Sequence, residues 1–299
     1  MTGLGATRLG GLLVAVYTLQ MAAADSITKF IAGQYAAPQL FALAALIAVA
    51  LSFVAARRPA EGGTRRALST GQRPAMAIRS ALTVLASVAF FYAFRYLPFA
   101  DVFLFMALVP VIAALLSGPI LGEAIRPTAW IALVFGVAGL LCLMPEGPSM
   151  LSIGHGWAGL AVLSGTGSLV AARYIAQRER STLAQVFYPN LALCVVMTAA
   201  LPFVWTPMSG ADLAWVSVYA LILFAARWTV TAALGVLPAY VATPLMNLQF
   251  VWMVVIGFLA FGEVPGLGTF LGVTLVIGSG LWLVYDTARP KWREVPATT

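Results

Sequence analysis

The chain has 299 residues, 62% of them hydrophobic and 9% charged, with a mean hydropathy of +0.96 and a net charge of +7. A soluble domain is about 45–50% apolar and about 25% charged, so lipid must cover much of this surface. That excludes a soluble enzyme, a disordered chain and a nucleic-acid binder despite the pI near 9.8, and places the basic excess in loops on one side of a membrane.

Ten apolar runs of spanning length follow one another, at about 9–28, 38–56, 75–95, 98–118, 127–144, 156–177, 183–204, 212–234, 239–261 and 264–285. They are continuously apolar without strict alternation, which makes them helices and not barrel strands. The expected class is an all-α integral membrane protein. Arg8, an apolar run and Ala22-Ala23-Ala24 before Asp25 have the form of a cleavable signal, but the repeat described below needs this segment as span one. The loop from Arg57 to Pro74 carries Arg57, Arg58, Arg65, Arg66 and Arg73; with ten spans its side also receives Arg8, Arg126, Arg178, Arg180, Arg289, Lys291 and Arg293. Little beyond Lys29 and Arg95 falls opposite, so the loop and both termini are expected in the cytoplasm.

Tyr96-Leu97-Pro98 placed over Val236-Leu237-Pro238 gives an offset of 140 residues. Met106 then falls on Met246, Leu108 on Leu248, Val111 on Val251 and Gly122-Glu123 on Gly262-Glu263; a one-residue slip sets Gly139-Leu140 over Gly280-Leu281. Each unit holds five spans, 1–148 and 149–299. Five is odd, so the second copy enters the membrane inverted. Inverted copies place a substrate site near the midplane and can open to either side at similar energy, which is what a carrier by alternating access requires.

These features resemble the drug/metabolite transporter superfamily in its EamA-type branch: two five-span units, Gly-Glu after spans four and nine, and a Gly-rich final helix, GVTLVIGSGLWL at 272–283. Within the branch the chain is most similar to YddG-type exporters. The resemblance implies a bacterial inner-membrane monomer without a bound cofactor, moving aromatic and other amino acids outward. Four-span multidrug relatives keep a midmembrane glutamate in span one. Here Leu9–Thr28 has none, and Asp25 lies near its outer end, which argues against proton-for-cation antiport.

Polar residues within spans are the candidates for cargo contact. In span nine Tyr240, Thr243, Asn247 and Phe250 share a face, and Pro244 frees a carbonyl one turn back and suits a hinge. Met246 and Met106 pair through the repeat, Pro110 can kink span four, and Phe103 and Phe105 add soft apolar contact. Phe91, Phe94 and Arg95 end span three as an aromatic wall with a guanidinium, or as an interfacial belt. Trp228 and Arg227 lie in span eight, where Arg227 either meets a substrate carboxylate, reaches Glu123 or snorkels. Ser164 and Ser168 with their glycines suit close helix packing or a polar wall. Glu123 and Glu263 suit the first turns of spans five and ten, with proton coupling as the other reading. Asp101 suits a cap, an Arg95 partner or coupling, and His155 a solvated loop.

Cys142 and Cys194 sit in apolar runs, and one histidine builds no His-rich metal site. Neither lysine, Lys29 or Lys291, has the glycine setting of a phosphate loop. The expected function is a secondary exporter of small metabolites, chiefly amino acids including bulky apolar and aromatic ones. Cations look scarce within the spans, which favours zwitterionic or neutral cargo. The alternatives are a same-fold carrier for another small metabolite or drug, a scaffold or sensor, and an intramembrane enzyme, which lacks a nucleophile–base or paired-acid set. A cysteine placed at Thr64 is expected to react with impermeant reagents only from the cytoplasmic side; labelling from outside intact cells overturns the topology.

Overall fold

The computed structural model describes residues 3–32, 35–57, 67–96, 102, 105–106, 108–123, 130–131, 134, 138, 152–179, 182–261, 274–275, 278 and 282. Among these, α1 is Gly3–Ala32, α2 Ala37–Ala56, α3 Arg73–Tyr96, α4 Val109–Leu116, α5 Ile153–Ala176, α6 Thr182–Ala200, α7 Gly210–Val236, α8 Ala239–Met246 and α9 Gln249–Phe261. Six of them (α1, α2, α3, α5, α6 and α7) contain stretches long and apolar enough to cross a membrane. They match expected spans one, two, three, six, seven and eight. Span four appears as α4 continued by a π turn, Ser117–Leu121, and span nine as α8 and α9 in series. Spans five and ten and the 148/149 boundary lie largely or wholly outside the described residues.

Local chemistry sets the ends. Pro38 occupies the first turn of α2, where its missing N–H costs nothing. Ser209 caps α7 by accepting the Asp212 N–H at 3.2 Å, and the Asp212 carboxylate accepts back from the Ser209 hydroxyl at 2.6 Å. Gly122 closes the π turn at φ +67°, a conformation that penalises any Cβ. Glu123 N–H then reaches back to the Ser117 carbonyl at 3.3 Å.

The packing is that of a protein dissolved in lipid. Many of its buried positions are filled by alanine, among them Ala22, Ala45, Ala89, Ala161, Ala184, Ala226 and Ala233. Leu12, Val54, Leu163, Val195 and Leu259 face outward, Leu259 at 75% exposure. Hydrocarbon does not drive apolar helices together, so close approach of backbones supplies the cohesion. The most extensive pairings are α3 on α5, α1 on α7 and α2 on α6. Between α3 and α5 a Cβ on Gly167 would lie 3.1 Å from Leu82 Cδ1, and Thr83 Oγ1 meets Ser168 Oγ at 2.8 Å. Ser168 also donates to the Arg79 carbonyl at 3.3 Å, while Ser164 bonds its own helix at Leu160. Of the two readings for this serine pair, helix packing is the one these bonds fit.

Gly122→Ala is expected to lower stability by about 1–2 kcal/mol, the cost of a left-handed residue with a Cβ. Gly118→Ala, facing open space at an ordinary φ, should not. Thermal unfolding in detergent reads the difference.

Candidate functional site

Two short helices, each bordering an interruption of its span, pack on one another. In span nine the helix continues through Pro244 to Met246, turns at Asn247 and Leu248, and resumes at Gln249. In span four the turn is at Leu108, and Pro110 sits in the first turn of α4 instead of kinking its interior. Both turns carry the same tightened bond: Leu108 N–H to the Phe105 carbonyl at 3.0 Å, Leu248 N–H to the Leu245 carbonyl at 3.1 Å. Leu108 and Leu248 are the residues that the 140-residue offset superimposes. The prolines do not coincide under it, so the matching position of the two turns is not the work of one shared proline. α4 packs on α8, bringing the interrupted spans together.

The two halves of span nine have different anchors. Beyond the turn, Gln249 Nε2 donates to Asp25 Oδ2 at 2.5 Å and Trp252 Nε1 to Thr18 Oγ1 at 3.1 Å, tying α9 to α1. Before it, the free N–H of Ala239 at the start of α8 donates to Glu123 Oε2 at 3.3 Å. Glu123 also accepts from Arg173 Nε at 2.7 Å and Gln177 Nε2 at 3.1 Å, and Arg173 Nη1 donates to the Leu234 carbonyl at 2.8 Å. The ends of spans four, six, eight and nine thus converge on one carboxylate. Its helix-terminus role is real but serves span nine; the first turn of span five lies outside the described residues.

Two arginines lie deeper. Arg79 on α3 is 7% exposed; it donates through Nη1 to Gln185 Oε1 and through Nη2 to Thr231 Oγ1 at 3.3 Å, while its Nε is buried without a partner among the described residues. Arg227 on α7 donates to Asn190 Oδ1. It therefore does not reach Glu123, which Arg173 occupies. Gln185 and Asn190 flank Pro189, which withholds an N–H from the α6 ladder; Asn190 Nδ2 is fixed on the Val186 carbonyl at 2.7 Å, leaving its oxygen for Arg227. Thr231 Oγ1 donates to the Arg227 carbonyl at 2.7 Å and so touches both arginines. Two arginines held within the spans correct the expectation that cations are scarce there.

The opposite end is closed by different bonds. Tyr35 donates to Asp212 at 2.7 Å, which raises its pKa from the ordinary phenol value. Gln39 donates to the Thr206 carbonyl at 2.7 Å and accepts from its N–H and hydroxyl. Aromatic rings gather nearby: Tyr92 stacks on Trp157 at 4.9 Å and Phe90 on Phe94 at 6.1 Å.

The other candidates separate. Thr243 is buried with its hydroxyl on the Ala239 carbonyl at 2.9 Å. Met246, Met106, Asn247 and Phe250 are half-buried around the turns. Tyr240 and Pro244 lie in α8. Phe91 packs against Phe41 of α2, Phe94 against Phe90 and the α5 side, and Arg95 is exposed, so no single aromatic-guanidinium wall forms. Trp228 faces outward at 39% exposure beside Phe224. His155 sits in the first turn of α5, its Nδ1 accepting the Ser152 N–H at 2.8 Å, and is not a loop residue. Asp101, Phe103, Cys142 and Glu263 lie outside the described residues. Arg79, Gln185, Asn190, Arg173 and Gln249 were not singled out from sequence; the signal was simply a polar or ionisable residue inside an apolar run.

A multi-pass helical membrane protein with a hydrogen-bonded polar interior is the class these features define. Residues 8–144 match the EamA-like transporter family. An uncharacterized transporter of Helicobacter pylori is 26% identical over 231 residues, covering 74% of this chain and 76% of its own. Pseudopaline exporter CntI of Pseudomonas aeruginosa is 30% identical over 141 residues, 47% of this chain and 48% of its own. A riboflavin transporter of Rhizobium johnstonii is 27% identical over 174 residues, 56% of each chain. One protein of known crystal structure shares the fold, with a TM-score of 0.76 at 20% identity over 95% of this chain and 97% of that one. These relatives support a small-molecule transporter.

Breaking a buried ion pair by removing one partner costs about 3–5 kcal/mol. Glu123→Ala, at a pair with side chains 14% and 11% exposed, is expected near the lower end of that range, and Glu123→Gln to lose less because an amide oxygen still accepts. Thermal unfolding in detergent checks the order; a Glu123→Ala melt equal to wild type removes the tie from the account.

Proposed function

We propose that the chain is a secondary exporter of small metabolites, chiefly amino acids including bulky apolar and aromatic ones, as YddG-type carriers are. It works by alternating access in the bacterial inner membrane, with ten spans in two inverted repeats and both termini cytoplasmic. The observation that carries this reading is the pair of helix turns at Leu108 and Leu248, at positions the 140-residue offset superimposes, on spans whose helices α4 and α8 pack together. Interrupted helices at a repeat interface are where such carriers hold cargo, because the turn releases backbone polar groups within the membrane.

The helix pairings support the same architecture. Renumber each span by its counterpart five places along, and span three on six becomes eight on one; two on eight becomes seven on three; two on seven and four on nine return themselves. All of these pairings occur. The end that carries Arg8, Arg57, Arg73 and Arg178 is the cytoplasmic one by charge. Phe90, Phe94, Phe105 and Trp157 gather on spans three, four and six toward the other end and suit an apolar cargo side chain on its way out. An exporter among the relatives fits the outward direction. The riboflavin transporter keeps a flat aromatic metabolite as a second reading.

Span nine is the moving element: Pro244 and the Asn247–Leu248 turn let α8 and α9 swing separately between the Glu123 and Asp25 anchors. In liposomes offered labelled amino acids, sugars, nucleotides and riboflavin, with and without a pH gradient, phenylalanine and leucine are expected to move. Asn247→Ala should weaken their apparent affinity about 10- to 100-fold, the cost of losing a hydrogen bond to a charged group. Pro244→Ala should slow turnover with little change in affinity. Transport of sugars or nucleotides alone overturns the cargo, and wild-type kinetics in both variants makes span nine scaffold.

A further inference from the structure

Each guanidinium offers five N–H donors and is always charged. Arg79 uses one on Gln185 and one on Thr231, and Arg227 one on Asn190; all three acceptors are uncharged. Neither arginine forms an ion pair with any described residue, although the chain brings acids to other arginines, as at Glu123 and Arg173. The Arg79 Nε is buried with no partner among the described residues. Two cations held on neutral amides inside an apolar bundle repel one another and cost free energy in lipid. Groups that only fastened helices would serve better as neutral amides, or with an acid between them.

We propose that Arg79 and Arg227 are a binding site for a free carboxylate of the cargo, which spans the two guanidiniums and supplies the missing negative charge. This deepens the exporter reading and rests on it. The position fits. Arg79 lies six residues inside the start of α3 and Arg227 nine residues before the end of α7, both in the half of the membrane nearer the arginine-rich end. A cargo entering from the cytoplasm meets this positive field first, with its carboxylate leading. Gln185 and Asn190, each fixed on α6 beside Pro189, hold the two guanidinium planes in place without neutralising them.

The cargo rule is therefore a free acid: phenylalanine and N-acetylphenylalanine bind, phenylalaninamide and phenylethylamine do not. Two measurements on the full chain separate this from the transporter reading. Ligand-induced thermal shifts in detergent read binding without transport; competition against labelled phenylalanine in liposomes reads transport. Both acids should stabilise and compete, with both carboxylate-free compounds at least 10-fold weaker. Arg79→Gln and Arg227→Gln should each weaken the acids about 10- to 100-fold and erase the acid–amide difference. Arg79→Lys and Arg227→Lys should restore part of it, since charge returns without the planar fork. Acids that shift the melt through these arginines while nothing is transported leave the site standing and sink the exporter. Transport with amides competing as well as acids sinks the site and leaves the exporter. Should the Gln variants not fold, the acid–amide comparison on wild type decides alone.

Discussion

The constraint on which the rest depends is that two guanidiniums are held inside a bundle whose outer surface belongs to lipid. Hydrocarbon offers no hydrogen bonds, so each polar group on α3, α6 and α7 must find its partner in another helix or in its own backbone. Gln185, Asn190 and Thr231 exist at their positions to meet that demand, and in doing so they fix the rotation of three helices about their axes. The same demand explains the hydroxyls. Ser26, Ser52, Ser87, Ser117, Ser217 and Thr229 all bond a carbonyl one turn back in their own helix, which leaves the cross-helix bonds concentrated at a few depths.

Cohesion elsewhere comes from small residues. The alanine-lined seams of α1 with α7 and of α3 with α5 bring backbones close, and a larger side chain at Gly167 would push Leu82 aside. A rigid pair on each side leaves span four and span nine between them. Those are also the spans with interrupted ladders, so the least continuous helices lie between the most closely packed pairs.

Much of this was legible in the chain. Apolar runs ended within a few residues of the helices: 38–56 against Ala37–Ala56, 156–177 against Ile153–Ala176, 212–234 against Gly210–Val236. The turns were half legible. Proline marked both spans, but the ladder fails at Leu248, four residues past Pro244, and at Leu108, two before Pro110. A proline penalises the turn that precedes it, which accounts for the break at Leu108 before Pro110 but not for the one at Leu248 after Pro244. Arg79 and Arg227 show the limit of a linear reading. A lone arginine one or two turns inside a run looks the same whether it snorkels or is held inward, and the decision belongs to Gln185 and Asn190 on a helix about a hundred residues and about forty residues away, respectively.

The two ends of the bundle are fastened by different chemistry, and that difference bears on the proposed cycle. At the arginine-rich end the tie is a charge-assisted bond at 2.7 Å with both side chains nearly buried, gathering four spans on one carboxylate. At the other end a half-buried Asp212 meets Tyr35, and a buried amide meets one backbone loop at Thr206. Both ends therefore hold a charge-assisted bond, but only the arginine-rich end joins two opposite charges in one nearly buried contact, so parting that end has the costlier contact to undo. A carboxylate bound between Arg79 and Arg227 would screen their repulsion and draw α3 and α7 together about it. Differential binding of this kind is what a cargo must supply to shift a two-state carrier. The arginine pair and the carboxylate tie are then two sides of one balance: the cargo's charge acts where the described residues bring no acid to the two arginines.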